Sequence, residues 1–183
     1  MVCVLLAEGF EEVEALTPAD LLRRAGVEVQ LVGVTGNPVR GAHGIAICTD
    51  CTIDEANVAN ADMIVLPGGM PGTKHLYADA RVTAAVQAQY ERGKYVAAIC
   101  AAPSVVLGGM GLLHAKKATC YPGMEQGMTG AIPVAQNCVV DGNIITGRGV
   151  GGALDFSCAL VAALCGEDKA REVAEAVVHH VGK

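Results

Sequence analysis

The chain has 183 residues, which is enough for one domain built around a single core. Hydrophobic residues make up 52% of it and charged residues 17%, so it has enough apolar surface to fold, which excludes intrinsic disorder. The net charge of −6 argues against nucleic acid or an anionic membrane as the main partner.

Membrane insertion and export are also not expected. No apolar run reaches the roughly 18 residues that a membrane-spanning helix needs. The first residues lack the basic start of a signal peptide and meet an acidic residue at Glu8. We therefore expect a cytoplasmic protein that consists of one domain, residues 1–183, and we expect its eight cysteines to be reduced.

Short apolar runs alternate with helical segments along the chain. Strands are predicted at residues 1–7, 27–34, 45–48, 62–66 and 95–99, around 118, and at 138–145 with a turn at 141–143. Helices are predicted at 11–25, 80–92, 103–107, 153–164 and 167–178. Continuous apolar strands that alternate with helices indicate a mostly parallel sheet covered on both faces. The predicted fold class is an α/β sandwich, in which ligands bind at the carboxyl ends of the strands.

Cys100 stands at one of these strand ends, between the predicted strand 95–99 and the segment Ala101-Ala102-Pro103. Proline suits the first turn of a helix, so the cysteine lies at a strand-to-helix turn that resembles a nucleophile elbow. The helix start would lower the pKa of the thiol and favour the thiolate. The position predicts either a reactive cysteine or an inert one buried at a strand end.

Gly68 and Gly69 end the neighbouring apolar strand. Two glycines allow backbone N–H groups to approach a ligand closely, as an oxyanion site requires, although a plain turn has the same composition.

Glu14 is the charged member of an otherwise apolar helical stripe. It is either a core-directed carboxyl with a raised pKa, suited to acid–base catalysis, or a solvated glutamate at a frayed helix start. Pro18 lacks the N–H that would bond the Glu14 carbonyl, so the helix either kinks there or restarts at Thr17.

Two other motifs could carry chemistry. Residues 147–152 fit the dinucleotide pattern G-x-G-x-x-G, but no later strand is predicted that could supply a ribose-binding acid. Cys48 and Cys51 form an isolated C-x-x-C, which suits a metal site or a redox pair only with further ligands or a following helix.

These segments together resemble the ThiJ/PfpI superfamily, in the branch of the DJ-one protein, a deglycase. The resemblance rests on GFEEVEALTPADLLRRAG (9–26), VLPGGMPG (65–72), AAICAAP (97–103) and GRGVGGALDF (147–156). It implies a flavodoxin-like α/β sandwich that forms a homodimer. It also implies a glyoxalase or deglycase that acts on a small aldehyde or its glycated adduct without metal or cofactor. Oxidation sensing, chaperone activity and peptidase activity in the PfpI branch are the alternatives.

The resemblance assigns roles to individual residues. It implies that Cys100 is the reactive residue, that Glu14 is the protonated glutamate that bonds its sulfur, and that the oxyanion groups belong to Gly69 and Ala101, beside Gly68.

Three positions depart from the family pattern. Tyr121 replaces a histidine, so the Cys–His pair of the peptidase branch is not expected. His43 replaces an arginine that reaches across the dimer and weakens the case for anion binding. Val150 replaces a proline in the cleft wall.

Overall fold

Residues 1–180 are described by a computed structural model of the chain. The predicted domain, 1–183, also includes residues 181–183, which lie outside the described residues. The strands in chain order are β1 Val2–Leu6, β2 Val29–Gly33, β3 Val39–Arg40, β4 Ala46–Ile47, β5 Cys51–Thr52, β6 Met63–Leu66, β7 Tyr95–Ile99, β8 Lys117–Ala118, β9 Ile132–Pro133, β10 Cys138–Asp141 and β11 Ile144–Gly147. The helices are α1 Glu12–Arg24, α2 Gly72–Ala78, α3 Ala80–Glu91, α4 Ala153–Cys165 and α5 Glu167–Ala176.

Seven of these strands form one sheet in the order β10-β11-β7-β6-β1-β2-β5. All neighbours are parallel except β10 and β11, which form the antiparallel hairpin predicted around residues 141–143. The predicted α/β class with a mostly parallel sheet is therefore confirmed. β3 with β4, and β8 with β9, form two separate two-stranded ladders.

The sheet separates two apolar cores, because alternate residues of each strand face opposite sides. Along β1, Val2, Val4 and Leu6 face the core under α1, α4 and α5. Cys3 and Leu5 face the core under α2 and α3. Few aromatic residues contribute to either core, and aliphatic side chains fill the space between sheet and helices.

Several predicted elements were wrong in detail. Helix α2 was not predicted, since it follows a glycine- and proline-rich stretch. Helix α1 continues through Pro18 and does not restart at Thr17. The helix expected at 103–107 is a π-helical turn, Pro103–Gly108. Within residues 1–180, no helix combines the length and the apolar character that crossing a membrane requires.

Candidate active site

Cys100 follows β7 directly and has φ 65°, in the left-handed region that residues with a side chain rarely adopt. Two backbone hydrogen bonds hold it there. Its N–H donates to the carbonyl of Gly147 at 2.9 Å, and its carbonyl accepts from the N–H of Tyr121 at 2.8 Å. A strained conformation that its surroundings impose is typical of functional positions. The half-buried side chain lines a cleft at the carboxyl ends of β6 and β7.

Glu14 lies on the buried face of α1, and none of it is exposed to solvent. Its Oε2 accepts a hydrogen bond of 3.0 Å from the N–H of Gly68. Its other oxygen, Oε1, is buried and has no hydrogen-bond partner among residues 1–180. Glu14 also lines the cleft, and its Oε1 lies on the side of Gly149.

Gly68 makes the close approach of Glu14 and Cys100 possible. A methyl group at Gly68 would overlap Oε2 of Glu14, would lie 2.6 Å from Cβ of Cys100 and would lie 3.1 Å from its Sγ. Gly68 was expected among the groups that bind an oxyanion. Its N–H is instead occupied by Glu14, and its role is to leave space for two side chains.

The two titratable groups of this site, Glu14 and Cys100, shift each other's pKa. Burial raises the pKa of Glu14 to about 7, against the lowering effects of the Cys100 side chain and the Gly68 N–H. Burial raises the pKa of the Cys100 thiol to about 12, and the charge of ionised Glu14 adds to the rise. The N–H groups of Ala101 and Gly69 lower it by a smaller amount.

The expectation of a lowered thiol pKa, drawn from the helix start, is therefore wrong while Glu14 is ionised. Burial and a neighbouring negative charge outweigh the N–H groups at this turn. Because each group shifts the pKa of the other, the two titrate as a pair. When the pair holds a single proton and this proton is on Glu14, the sulfur is a thiolate next to a neutral carboxyl, and the like-charge repulsion is absent.

Gly69 and Ala101 present the backbone N–H groups that act on the sulfur. Gly69 has φ +89°, and any side chain there would collide with the backbone of Gly9 and Phe10. Both residues line the cleft together with Cys100.

The cleft has a volume of about 1020 Å³, with Cys100 in its wall. Tyr121, which stands where the family pattern has a histidine, is 53% exposed at the rim of the cleft. Arg148 is half-buried and is the only arginine or lysine among the described residues that line the cleft.

Glu12 and His43 form a second polar cluster that the sequence analysis missed. Nδ1 of His43 lies 3.0 Å from Oε2 of Glu12 and 3.4 Å from Oε2 of Glu11. The N–H groups of His43 and Ile45 donate to Oε1 of Glu12. Within residues 1–180, Glu11, Glu12 and His43 are the set with the spacing of metal ligands. No sequence motif pointed to it, because the loop with His43 is 31 residues from Glu12.

The C-x-x-C and G-x-G-x-x-G motifs do not form a redox pair, a metal site or a dinucleotide site in the described residues. Cys48 is exposed beside a strand and Cys51 lies on β5, whereas a thioredoxin-like pair would begin a helix. Neither belongs to a metal-like cluster in the part of the chain that is described. Residues 147–152 connect β11 to α4 and form a wall of the cleft. All eight cysteines, each of them within the described residues, are free.

The fold and the site together define a class of α/β protein with a cysteine at a strand-to-helix elbow. The model of the DJ-1/PfpI family matches residues 1–163. The chain belongs to this family, and its similarity to DJ-1 homologues extends over nearly its full length.

Three relatives illustrate the similarity. The chain is 38% identical to "Protein DJ-1 homolog B" of Arabidopsis thaliana over 97% of its own length and 41% of that protein. It is 35% identical to "Protein dj-1beta" of Drosophila melanogaster, over 96% and 95% of the two chains. It is 32% identical to a deglycase of Pyrococcus horikoshii, over 80% and 89%. The chain spans less than half the length of the two Arabidopsis relatives that it matches.

Solved structures agree with the fold. A cysteine-to-alanine mutant of a DJ-1 superfamily protein from Salmonella typhimurium superposes with a TM-score of 0.93 at 36% identity, over 98% of both chains. The oxidised DJ-1 of Toxoplasma gondii gives a TM-score of 0.93 at 34% identity, over 97% of both chains.

Proposed function

We propose that this protein is a cofactor-independent cysteine enzyme that converts reactive 2-oxoaldehydes such as methylglyoxal to 2-hydroxy acids, or that removes their early adducts from amines. The observation that carries this proposal is the buried Glu14 carboxyl, with a pKa raised to about 7 and an unpartnered oxygen, next to the strained Cys100. The deglycase of Pyrococcus horikoshii supports the choice of substrate class.

The reaction begins at Cys100. Its thiolate adds to the aldehyde carbon, forms a carbon–sulfur bond, and leaves charge on the aldehyde oxygen. The N–H groups of Gly69 and Ala101 stabilise that charge, and Glu14 donates its proton to the oxygen. The product of this step is a hemithioacetal bound to the enzyme.

Glu14 then acts as a base and as an acid in turn. Its carboxylate removes the proton from the former aldehyde carbon and returns it to the adjacent ketone carbon, while the hydroxyl proton of the hemithioacetal passes to the ketone oxygen. The first carbon is oxidised to a thioester and the second is reduced to an alcohol, so no external oxidant or reductant is needed. Water then cleaves the thioester, releasing the 2-hydroxy acid and the thiol.

The test is an assay of methylglyoxal conversion to lactate without glutathione. We expect turnover by the wild type and a loss of at least about a thousandfold in Cys100→Ser, because a hydroxyl pKa is far too high to supply a comparable anion. Cys51→Ser is the matched control, since Cys51 is also half-buried but lies outside the cleft. A Cys100→Ser variant with wild-type turnover would rule out covalent catalysis by this residue.

The second candidate function is a sensor of oxidation. The half-buried Cys100 is accessible from the cleft, and the related Toxoplasma gondii structure is described as oxidised. Two molecules of peroxide would each give one oxygen to the sulfur and form a sulfinate. If the wild type turns over no aldehyde, and mass spectrometry finds sulfinate at Cys100 after peroxide treatment, the sensor function is favoured.

A further inference from the structure

Gly149 leaves a small open space in the wall of the cleft. A methyl group added at this glycine would lie 3.6 Å from Cδ2 of Tyr121 and 3.9 Å from Oε1 of Glu14, which are ordinary van der Waals distances. Apart from the neighbours of Gly149 along the chain, no other described atom lies within 4 Å of that position. The space beside the carboxyl and the tyrosine ring is therefore large enough to hold one methyl group.

The backbone and packing around position 149 do not require a glycine. Its φ of 161° is extended backbone that any residue can adopt, and a side chain would have room there. Gly68 and Gly69 differ in this respect, because a methyl group at either of them would collide with neighbouring atoms. The missing side chain of Gly149 therefore affects what the cleft can hold and not how two segments pack.

The space lies at the oxygen of Glu14 that is free to react. Oε2 accepts the N–H of Gly68 at 3.0 Å, whereas Oε1 has no hydrogen-bond partner among residues 1–180. In the proposed reaction a proton moves from the aldehyde carbon to the ketone carbon by way of Glu14, so both carbons must come close to Oε1. The substituent of the ketone carbon then lies over Gly149, on the side where Oε1 is found.

Tyr121 borders the same space and is held beside the elbow. Its N–H donates to the carbonyl of Cys100 at 2.8 Å, which fixes its main chain next to the reacting residue. Its ring contributes the atom that lies nearest to the methyl position over Gly149. An aromatic carbon favours contact with an alkyl group, and a substituent much larger than methyl would meet the ring.

We propose that Gly149 and Tyr121 determine which substituent is accepted on the ketone carbon of the substrate. The space over Gly149 takes a hydrogen atom or a methyl group, so small 2-oxoaldehydes are preferred over those with a bulky substituent. This inference rests on the proposed function and deepens it, because it identifies the part of the cleft that selects the substrate. With methylglyoxal bound at Cys100, its methyl group occupies the place that an alanine side chain at position 149 would fill.

The test compares glyoxal, which has a hydrogen atom on the second carbon, with methylglyoxal, which has a methyl group there. Gly149→Ala should fill the space and lower kcat/KM for methylglyoxal by about tenfold or more, which is the scale of one methyl group in a pocket. For glyoxal, kcat/KM should change by about twofold at most, because its hydrogen atom needs no such space. Circular dichroism checks that the variant is folded.

Tyr121→Ala tests the other border of the space. Loss of the ring should raise kcat/KM for phenylglyoxal relative to methylglyoxal by about tenfold, because the phenyl substituent then has room. Tyr121→Phe keeps the ring and should keep this ratio as it is in the wild type. A ratio that changes in Tyr121→Phe as much as in Tyr121→Ala would assign the effect to the hydroxyl and contradict the proposal.

Gly151→Ala is the matched control. Gly151 also lines the cleft, but a methyl group there would meet no described atom within 4 Å beyond its own turn of the chain, so the methylglyoxal-to-glyoxal ratio should not change. An unchanged ratio in Gly149→Ala would overturn the inference and leave the proposed function intact. Equal losses for glyoxal and methylglyoxal would also overturn it, in favour of a water molecule in this space. A wild type that converts neither aldehyde would refute the proposed function itself, and this inference with it.

Discussion

Glu12 and Glu14 are two buried carboxyls on the first turn of one helix, and their pKa values move in opposite directions. The pKa of Glu14 is raised to about 7. The pKa of Glu12 is lowered, although burial acts to raise it as well. Each carboxyl lies against a glycine that leaves space for it, Gly68 for Glu14 and Gly41 for Glu12. Both side chains are almost inaccessible to solvent, but Glu14 lies deeper in the protein than Glu12, so burial raises the pKa of Glu14 more.

A second difference between the two carboxyls is the number of hydrogen-bond donors. Glu12 accepts from the N–H groups of His43 and Ile45, and His43 Nδ1 lies against its second oxygen. Glu14 accepts from the Gly68 N–H alone, and its Oε1 has no partner among the described residues. Donors stabilise the charged form of a carboxyl, and burial without donors stabilises the neutral form. One glutamate is therefore held ionised, and its neighbour two residues on is free to carry a proton.

The contrast between Glu14 and Glu12 should have its largest effect on catalysis. Glu14→Gln keeps the shape and an acceptor for the Gly68 N–H but cannot transfer a proton, so we expect methylglyoxal turnover to fall by about a thousandfold. Glu12→Gln changes the other buried carboxyl of the same helix and should reduce turnover less than tenfold. The measurement is kcat without glutathione, with circular dichroism to check folding. Equal losses in the two variants would show that Glu14 only positions its neighbours.

A smaller effect is on stability against pH. The folded pKa of Glu14 is about 7 and its ordinary value is 4.5, so its contribution to stability is complete below about pH 4.5 and is lost as pH rises through 7. The difference corresponds to about 3 kcal/mol. In Glu14→Gln this loss is absent. Between about pH 4 and about pH 8, the free energy of unfolding of the variant, measured in urea, should therefore rise by that amount relative to the wild type.

The matched variant Glu12→Gln should give the opposite sign. The folded pKa of Glu12 is lowered, so its stabilising contribution is present above its ordinary pKa and is lost as pH falls through the folded value. Relative to the wild type, this variant should therefore lose stability as pH rises through the acid range. The same pH dependence in both variants would contradict the assignment of opposite protonation states.

The sequence was sufficient to predict the elements that are determined by patterns among neighbouring residues. Continuous apolar runs predicted β1, β6 and β7, and the stripe on α1 offered a core-directed Glu14 as one of two alternatives. The position of Cys100 between a strand and a proline predicted its place at a turn. In each case the signal lies within a few residues of the feature.

The parts that were missed depend on contacts between distant segments. Glu12 is buried because a loop 31 residues away supplies its donors, and no pattern around Glu12 records this. The direction of the Cys100 pKa was wrong because a local rule for helix starts left out the burial and the charge contributed by Glu14. Helix α2 was missed because its glycine-rich start favours a loop, while packing of Leu76 into the core stabilises the helix.

The contrast between Glu12 and Glu14 should have its smallest effect on the pKa of His43. Its pKa is raised chiefly by the hydrogen bond to Glu12, with smaller contributions from the charges of Glu11 and Glu12. Glu12→Gln removes the carboxylate, so the pKa of His43 should fall towards its ordinary value of 6.5. An NMR titration of the imidazole measures this directly. Glu14→Gln is the control and should leave the His43 pKa where it is, because Glu14 is not among the groups that shift it. If His43 titrates identically in the wild type and in Glu12→Gln, then Glu12 is not held ionised by this contact, and the contrast between the two carboxyls depends on the backbone donors alone.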